Sequence, residues 1–392
     1  MSVFFKASKE LRAVSPGDWS RDIFSPSRTV AGVQVTPDKA MRGSLWTCTH
    51  FLASLVAGLP VDVVRGSGAS KQKLDRLPQL VASPSGIVKR RAWVYQGMMS
   101  LLLYGNAYGY VVSRDALGFP TTVEWLHPTR VRVKQESSLD RPTYVVNNVT
   151  VPSDDIVHLA AFLQPGSAVG LSPVEYHAET LGISIAARDY AGGWFGGGAH
   201  PTALLQNKEK TIELAEADKI KTRFLSRKKR EPLVVGSDWG YTPLQIPAAQ
   251  SGFIETMGYT SAETAKIFGP ALAELLDYTS SGSSLTYTNR IDLTLNLLNF
   301  TALQWIQMFE DFWTDNLPKP QTARMNVNGL LRVDPKTRME MHRTSREIGL
   351  RNIDEIRDIE DEPPLPDGIG SDYSPLKLMK EGDGNGAPVS QN

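Results

Sequence analysis

Apolar residues recur at helical spacing from Ala40 to Ala57, and the run stops at Gly58-Leu59-Pro60, where glycine and proline end a helix. A strand over Val61 to Arg65 follows, then a second helix over 89–103. That helix runs into Leu101-Leu102-Leu103-Tyr104-Gly105-Asn106-Ala107-Tyr108, a Gly-Asn stop feeding a hairpin whose strands, 108–114 and 121–125, meet at Asp115-Ala116-Leu117-Gly118. Further strands are predicted at 130–135, 143–151 and 155–159, separated by turn residues such as Asp140-Arg141-Pro142 and Asn147-Asn148. The first 40 residues, rich in Ser, Pro and Gly, predict a flexible N-terminal arm.

The pattern then changes to long helices. Ser172-Pro173-Val174-Glu175 reads as a capping box with Pro at the first helical position, opening a helix that runs to about Phe195 before Gly196-Gly197-Gly198. Its ~24 residues would span ~36 Å. A compact insert is predicted next: a strand over Thr202 to Gln206, an amphipathic helix over Glu209 to Ser226, and strands over Pro232 to Val235 and Gly240 to Leu244. The chain returns along a helix from about Ser251 to Phe268. Residues 277–288 carry no periodic apolar pattern and predict an exposed loop.

Asn289-Arg290-Ile291-Asp292 caps the longest predicted helix, which ends before Pro318. Ile291, Leu295, Leu298, Ala302, Trp305, Phe309 and Phe312 form one stripe on it. Leu293, Leu297 and Phe300 add a second apolar face, which favours a helix buried between layers over a coiled coil. Strands over Arg324 to Asn328 and Leu331 to Asp334, a helix over Ser345 to Leu350 and another from near Asp354 follow. Beyond Pro363-Pro364 a Gly-, Pro- and Ser-rich tail reads as disordered. The fold class is α+β.

Composition narrows the function. Lys plus Arg equals Asp plus Glu, 42 each, so a free-standing nucleic-acid binder, which is usually basic, is disfavoured. Cys48 is the only cysteine, which excludes an internal disulfide and a Cys-based zinc site, and it reads as a small buried apolar residue. Met-Ser-Val-Phe-Phe-Lys has no signal-peptide pattern, and no apolar run approaches the ~20 residues that span a bilayer. No membrane, cofactor or metal is expected.

Catalytic signatures are missing. His177-Ala178-Glu179 has no Pro-Cys-x-x-Cys partner and reads as two polar helix positions. The Gly-rich stretch 192–198 lacks the Lys-Ser/Thr of a phosphate loop and follows a helix instead of preceding one. Between Asp354 and Asp372 eight acids face only Arg357, which reads as a solvated or partner-facing acidic segment in preference to a metal site. Nothing marks an enzyme.

Several words of the chain together resemble the portal proteins of long-tailed bacteriophages. They are Leu101 to Tyr108, Arg114-Asp115 to Gly118, Leu126-His127-Pro128-Thr129-Arg130-Val131, Ile156-Val157-His158-Leu159, Gly170-Leu171-Ser172-Pro173, Leu285-Thr286-Tyr287-Thr288-Asn289 and Asn352-Ile353-Asp354-Glu355-Ile356-Arg357, in that order. Phe268-Gly269-Pro270-Ala271 departs from the family's usual Gly-Val-Pro-Pro.

The resemblance implies a non-enzymatic dodecameric ring at one capsid vertex. Double-stranded DNA would pass through it without regard to sequence, and the ring would contact the major capsid protein, the terminase large subunit and then a head-tail adaptor. Assembly would take place in the host cytoplasm and the ring would end in the virion. The alternative is a ring-forming adaptor without DNA transit. By this resemblance residues 41–171 belong to a wing, 172–199 and 248–268 to a two-helix stem, 200–247 to a clip, 269–343 to the rest of the wing, 344–372 to a small crown and 373–392 to a disordered tail. The tunnel loop would be 277–288, presenting Tyr278, Thr279, Ser280, Ser281, Ser283, Ser284, Thr286 and Tyr287 to DNA, and the helix 289–317 would cross the wing.

Two readings of the residues fit that picture. Paired long helices flanking a compact insert cannot cover both their faces within one chain, and neighbouring copies must do so. From Asn207 to Glu231, nine Lys or Arg outnumber five acids, including Lys219, Arg223, Arg227, Lys228, Lys229 and Arg230. This patch reads either as a solvated turn or as a surface facing DNA or the motor.

Overall fold

The computed structural model describes residues 28–30, 32–66, 71–135, 140–196, 203–207, 239–243, 253–276, 293–327, 335–360 and 362–373, with scattered positions between 213 and 222. Two compact units divide the chain, residues 1–325 and 326–392.

In the first unit, strands β1 (Arg28–Val30) and β2 (Val33–Val35) form a hairpin. Helix α1 (Pro37–Ala40) follows, capped by Thr36, whose hydroxyl accepts from the Lys39 amide. Helix α2 (Ser44–Ala57) buries Leu45, Cys48, Leu52 and Val56 on one face. The single helix expected over 40–57 therefore breaks before Gly43, where a Cβ would lie 2.6 Å from Arg188 Nη1. Burial pushes the Cys48 thiol up to about 12, as suits a packed apolar residue. Strands β3 (Val61–Arg65) and β4 (Gln72–Lys73) and helix α3 (Gln79–Ala82) lead to helix α4 (Arg90–Tyr104).

Strands β5 (Asn106–Arg114), β6 (Pro120–Leu126), β7 (Val131–Lys134), β8 (Thr143–Val146), β9 (Val149–Val151) and β10 (Ile156–Ala160) make two antiparallel three-stranded sheets, β10-β5-β6 and β7-β8-β9. The expected strand 143–151 is a hairpin, turned by Asn147 and Asn148 at φ 48° and 68°. Tyr108, Val131, Tyr144 and Ile156 form the core between the sheets.

A second core is aromatic. Trp93 of α4 stacks on Trp125 of β6 with ring centroids 4.4 Å apart. Each indole nitrogen is satisfied across the pair, Trp93 Nε1 donating to Val123 O at 2.7 Å and Trp125 Nε1 to Trp93 O at 2.8 Å. Phe309, Phe312 and Trp313 close over Trp93 from the long helix α9. That helix is described from residue 293, passes through a π turn at Leu298–Ala302 and continues as Leu303–Asp315. The buried carboxylate of Glu310 then accepts from Met325 N at 2.7 Å and from Arg324 Nη1 at 2.9 Å, fixing α9 to β13 (Gln321–Met325), which pairs with β3.

The expected stripe holds from the π turn onward, with Leu298, Ala302, Trp305, Phe309 and Phe312 buried, and fails before it. An extra residue in a turn advances side-chain phase by about 100°. Before the turn Leu293 and Leu297 are therefore the buried residues, while Leu295 of the stripe and Phe300 of the second face are exposed. Residues 28–40 likewise depart from the expected arm, because Val30 and Val35 pack over Gly182, where a Cβ would lie 2.7 Å from Val30 Cβ. Residues 1–27 lie outside the described residues, as do the predicted strands 232–235 and 331–334, the tail from 374 and the Asn289 cap.

Three words of the sequence meet at one polar node. Gly105 ends α4 at φ 69°, and a Cβ there would sit 2.0 Å from Leu171 O. The Asn106 amide nitrogen donates to Tyr104 O and Gly170 O at 2.9 and 2.8 Å, while its oxygen accepts from Gly170 N at 2.8 Å. With that oxygen fixed as an acceptor, His158 Nε2 donates to it at 3.0 Å, and His158 Nδ1 accepts from the Tyr144 hydroxyl at 3.3 Å. The ring stacks on Tyr108 at 4.5 Å, and burial lowers its pKa from 6.5 to about 4.

The second unit holds helices α10 (Pro335–Glu347) and α11 (Ile353–Ile359). The helix expected over 345–350 starts at Pro335 and ends at Glu347 instead. Asn352 and Glu355 form a reciprocal capping box at the head of α11. Glu360 hydrogen-bonds His342 Nε2 at 2.9 Å and lies 3.0 Å from Arg338 Nε as an ion pair, so it ties the two helices together.

Gly105→Ala is expected to lower unfolding free energy by about 2 kcal/mol or more, from left-handed strain plus the clash with Leu171 O, as read by chemical denaturation. Neutral His158 is favoured only in the folded state, so its contribution is complete above pH 6.5 and is lost as pH falls toward about 4. Wild type minus His158→Gln, measured by urea denaturation across that window, should decline by on the order of 3 kcal/mol. A flat difference removes the buried neutral imidazole from the account.

Candidate functional site

The surfaces that could carry function are the two long helices, the insert they bracket and the loop before α9. Ser172 opens the first helix: its hydroxyl accepts from Glu175 N at 3.3 Å and donates to Leu103 O at 2.8 Å, so the helix starts from the end of α4. Only half of the expected capping box forms. Glu175 is half-buried, its Oε2 has no hydrogen-bond partner among the described residues, and burial raises its carboxyl to about 7. The expected continuous helix breaks at His177 (φ −98°, ψ 25°) into α5 (Pro173–Tyr176) and α6 (Ala178–Gly196).

The return helix α7 (Phe253–Lys266) packs along α6. His177, at the start of α6, feels Glu263 near the end of α7, so the two run antiparallel. Burial lowers the His177 pKa and the Glu263 charge opposes that shift. Thr264 Oγ1 donates to Thr260 O at 2.7 Å, which lets both hydroxyls be buried. Ala178, Leu181 and Ile185 turn inward on α6, while Ile183 and Tyr190 remain exposed.

Between the two helices in the chain, β11 (Ala203–Asn207) lies antiparallel to β12 (Trp239–Pro243), with Ala203 opposite Pro243 and Asn207 opposite Trp239. Of the basic patch, Lys219 is exposed; Arg223, Arg227, Lys228, Lys229 and Arg230 lie outside the described residues. So do all eight loop residues, Tyr278, Thr279, Ser280, Ser281, Ser283, Ser284, Thr286 and Tyr287.

Both flanks of that loop are described, and sequence reasoning missed how they are held. Helix α8 (Pro270–Leu275) precedes the loop and packs on the π turn of α9 that follows it. Gly269 (φ 149°) allows the approach, since a Cβ there would lie 2.3 Å from Thr301 Oγ1. The Gly269-Pro270 pair is the sequence signal for that helix start.

Candidate chemistry disperses. His177 sits at the helix break and Glu179 points to solvent. Asp354 accepts from Leu365 N at 2.8 Å, Glu355 caps α11 and Glu362 pairs with Arg357 at 3.5 Å, so these acids have structural partners. Among the described residues no group of three His, Cys, Asp or Glu could hold a metal ion, and no helix is long and apolar enough to cross a membrane.

Known proteins match this architecture. Over residues 44–361 the chain fits the family described as Phage portal protein. It is 28% identical over 408 residues to the probable portal protein of Streptomyces phage phiC31, covering 95% of this chain and 86% of the relative. It is 25% identical over 348 residues to the portal protein of Enterobacteria phage HK97, covering 83% and 80%. An HK97-family phage portal protein from Corynebacterium diphtheriae shares the fold at a TM-score of 0.56 and 14% identity, covering 76% of this chain and 96% of that one. A chain in the neck of a native gene transfer agent particle, computed with C12 symmetry, does so at 0.53 and 18%, covering 88% and 94%. With that match spanning both units' helices and sheets, the chain belongs to the phage portal protein family.

Proposed function

We propose that twelve copies of this chain close into a ring at one capsid vertex, through which double-stranded DNA is packaged and later ejected. The observation that carries this reading is the family match over residues 44–361, and the packed helix pair α6–α7, joined in the chain through the two-stranded β11–β12 ladder, supports it. Such a pair fits the stem and clip of a portal subunit, with residues 172–199 and 248–268 as stem and 200–247 as clip. Residues 41–171 and 269–343 form the wing, and 344–372 a small crown. The family match and a fold shared with a neck protein in a C12-symmetric particle support the ring.

The work of the ring is structural. Its partners are the major capsid protein, the terminase large subunit and, after packaging, a head-tail adaptor. The loop 277–288 faces the duplex. Asp277 is its only charge, and its serines, threonines, Tyr278 and Tyr287 touch DNA without ion pairs to the phosphates that would resist movement. The basic surplus of the clip, repeated around the ring, makes a positive band for DNA or for an acidic partner.

Deleting Thr279 to Thr286 should leave rings visible by negative-stain microscopy yet reduce packaged genome yield. Intact rings with unchanged genome length and yield would overturn the loop's channel role and favour an adaptor without DNA transit. A wild-type chain that stays monomeric by light scattering would sink the ring itself.

A further inference from the structure

The head of α5 carries a capping motif that is only half made. Ser172 Oγ accepts from Glu175 N at 3.3 Å, but the returning bond, from the Ser172 amide to the Glu175 carboxylate, is not formed. The same four-residue motif closes fully at the head of α11. There Asn352 Oδ1 accepts from Glu355 N at 2.7 Å, and Asn352 N donates to Glu355 Oε2 at 3.1 Å. Spacing and acid are the same in both places, so the reach of the side chain is not what keeps Glu175 away. Instead its Oε2 is buried with no hydrogen-bond partner among the described residues. A backbone donor and a carboxylate oxygen three residues on, each able to satisfy the other, are held apart.

We infer that Glu175 is a two-position latch on the joint between α4 and α6: protonated, its side chain stays buried; ionised, it swings out and closes the box onto the Ser172 amide. The drive is solvation. A neutral carboxyl tolerates an unpaired oxygen in a closed site far better than a carboxylate does. Once charged, the side chain gains a donor, and a hydrogen bond to an ionised acceptor is the stronger kind. Burial raises the Glu175 carboxyl to about 7, which places the exchange near neutral pH. The sign follows: the buried position stabilises the fold at low pH and loses that advantage as pH rises through about 7.

What the latch moves is set by its attachments. Ser172 Oγ also donates to Leu103 O at 2.8 Å, which ties the turn 172–175 to the end of α4. At the other side the chain leaves helical geometry at His177 before α6 begins. Closing the box fixes that turn at both of its backbone ends, and α6 then starts from a firmer base. The neighbouring titratable groups offer no rival switch in this range. Tyr104 of α4 is pushed up by burial first and then by Asp38 of α1 and Glu175, so it stays neutral. His177 is lowered by burial, against the charge of Glu263 on α7, so it is neutral above its ordinary 6.5. Tyr176 and Glu179 are exposed, and no cation bonds Glu175 Oε2 among the described residues.

The full-length chain tests this by residue-resolved hydrogen exchange at Ser172, whose amide is set apart because Pro173 has none. After correction for the intrinsic rate, protection of that amide should be at least about tenfold higher at pH 8 than at pH 5, since one unit past the midpoint about one carboxyl in ten keeps its proton. Glu175→Leu, which can neither ionise nor accept, should hold the low-pH protection at both values. Glu175→Gln, isosteric and uncharged, should show equal protection at both. Each variant should keep the wild-type circular dichroism spectrum, and if Glu175→Leu does not fold, Glu175→Gln decides alone. A wild-type amide equally protected at pH 5 and pH 8 would overturn the latch, and so would a rise that survives in either variant.

Discussion

The Asn106 carboxamide is the constraint on which the first unit's geometry depends. One side chain satisfies three backbone groups, Tyr104 O, Gly170 O and Gly170 N, and also holds His158. A buried amide with every partner present is worth keeping, because leaving any of those groups unpaired costs about 1–3 kcal/mol. The node fixes where α4 ends, where the strand pair β5–β10 begins and where helix α5 starts, since Ser172 follows Gly170 by two residues and bonds Leu103 O. Gly105 makes the arrangement possible by allowing Leu171 to approach without a side chain between them.

From α4 the packing continues to the long helix α9 through aromatic contacts. Trp93, one turn before Gly97 on the same face of α4, carries the aromatic layer, and Gly97 is small because Trp125 and Phe309 lie within 3.0 Å of where a Cβ would be. Glu310 then anchors α9 to a strand edge through a buried carboxylate with two donors, an arrangement costly to break once formed. The other end of α9 is held by the π turn against α8. Helix α8, which precedes residues 277–288 in the chain, and helix α9, which follows them, are therefore attached to one framework.

This division explains what could be read from the sequence. The stop at Gly105, the β5–β6 hairpin and the helices now seen at 178–196 and 253–266 were legible because each depends on neighbours in the chain. The role of Asn106 was not, since its partner Gly170 is 64 residues away. The π turn escaped because a stripe drawn at 3.6 residues per turn assumes an unbroken helix, although the competing face at Leu293 and Leu297 was already its trace. Helix α10 was placed too late because it lacks an apolar stripe: Met339 and Met341 are exposed, and Glu360 holds the helix through Arg338 and His342. The hairpin at 28–35 looked like an arm because its burial depends on Gly182, a contact no local pattern records.

The absence of a catalytic word and the balance of charge belong to the same logic. A protein that must let a polyanion slide gains nothing from a strongly basic surface, since each phosphate contact tightens binding. Acids of the second unit are spent on caps and pairs with Arg338, His342 and Arg357, which keeps them from advertising a metal or a partner. Among the described residues of α5, α6 and α7, Tyr176, Ile183, Tyr190 and Tyr259 stay exposed, and that apolar surface costs free energy in water for as long as one chain stands alone.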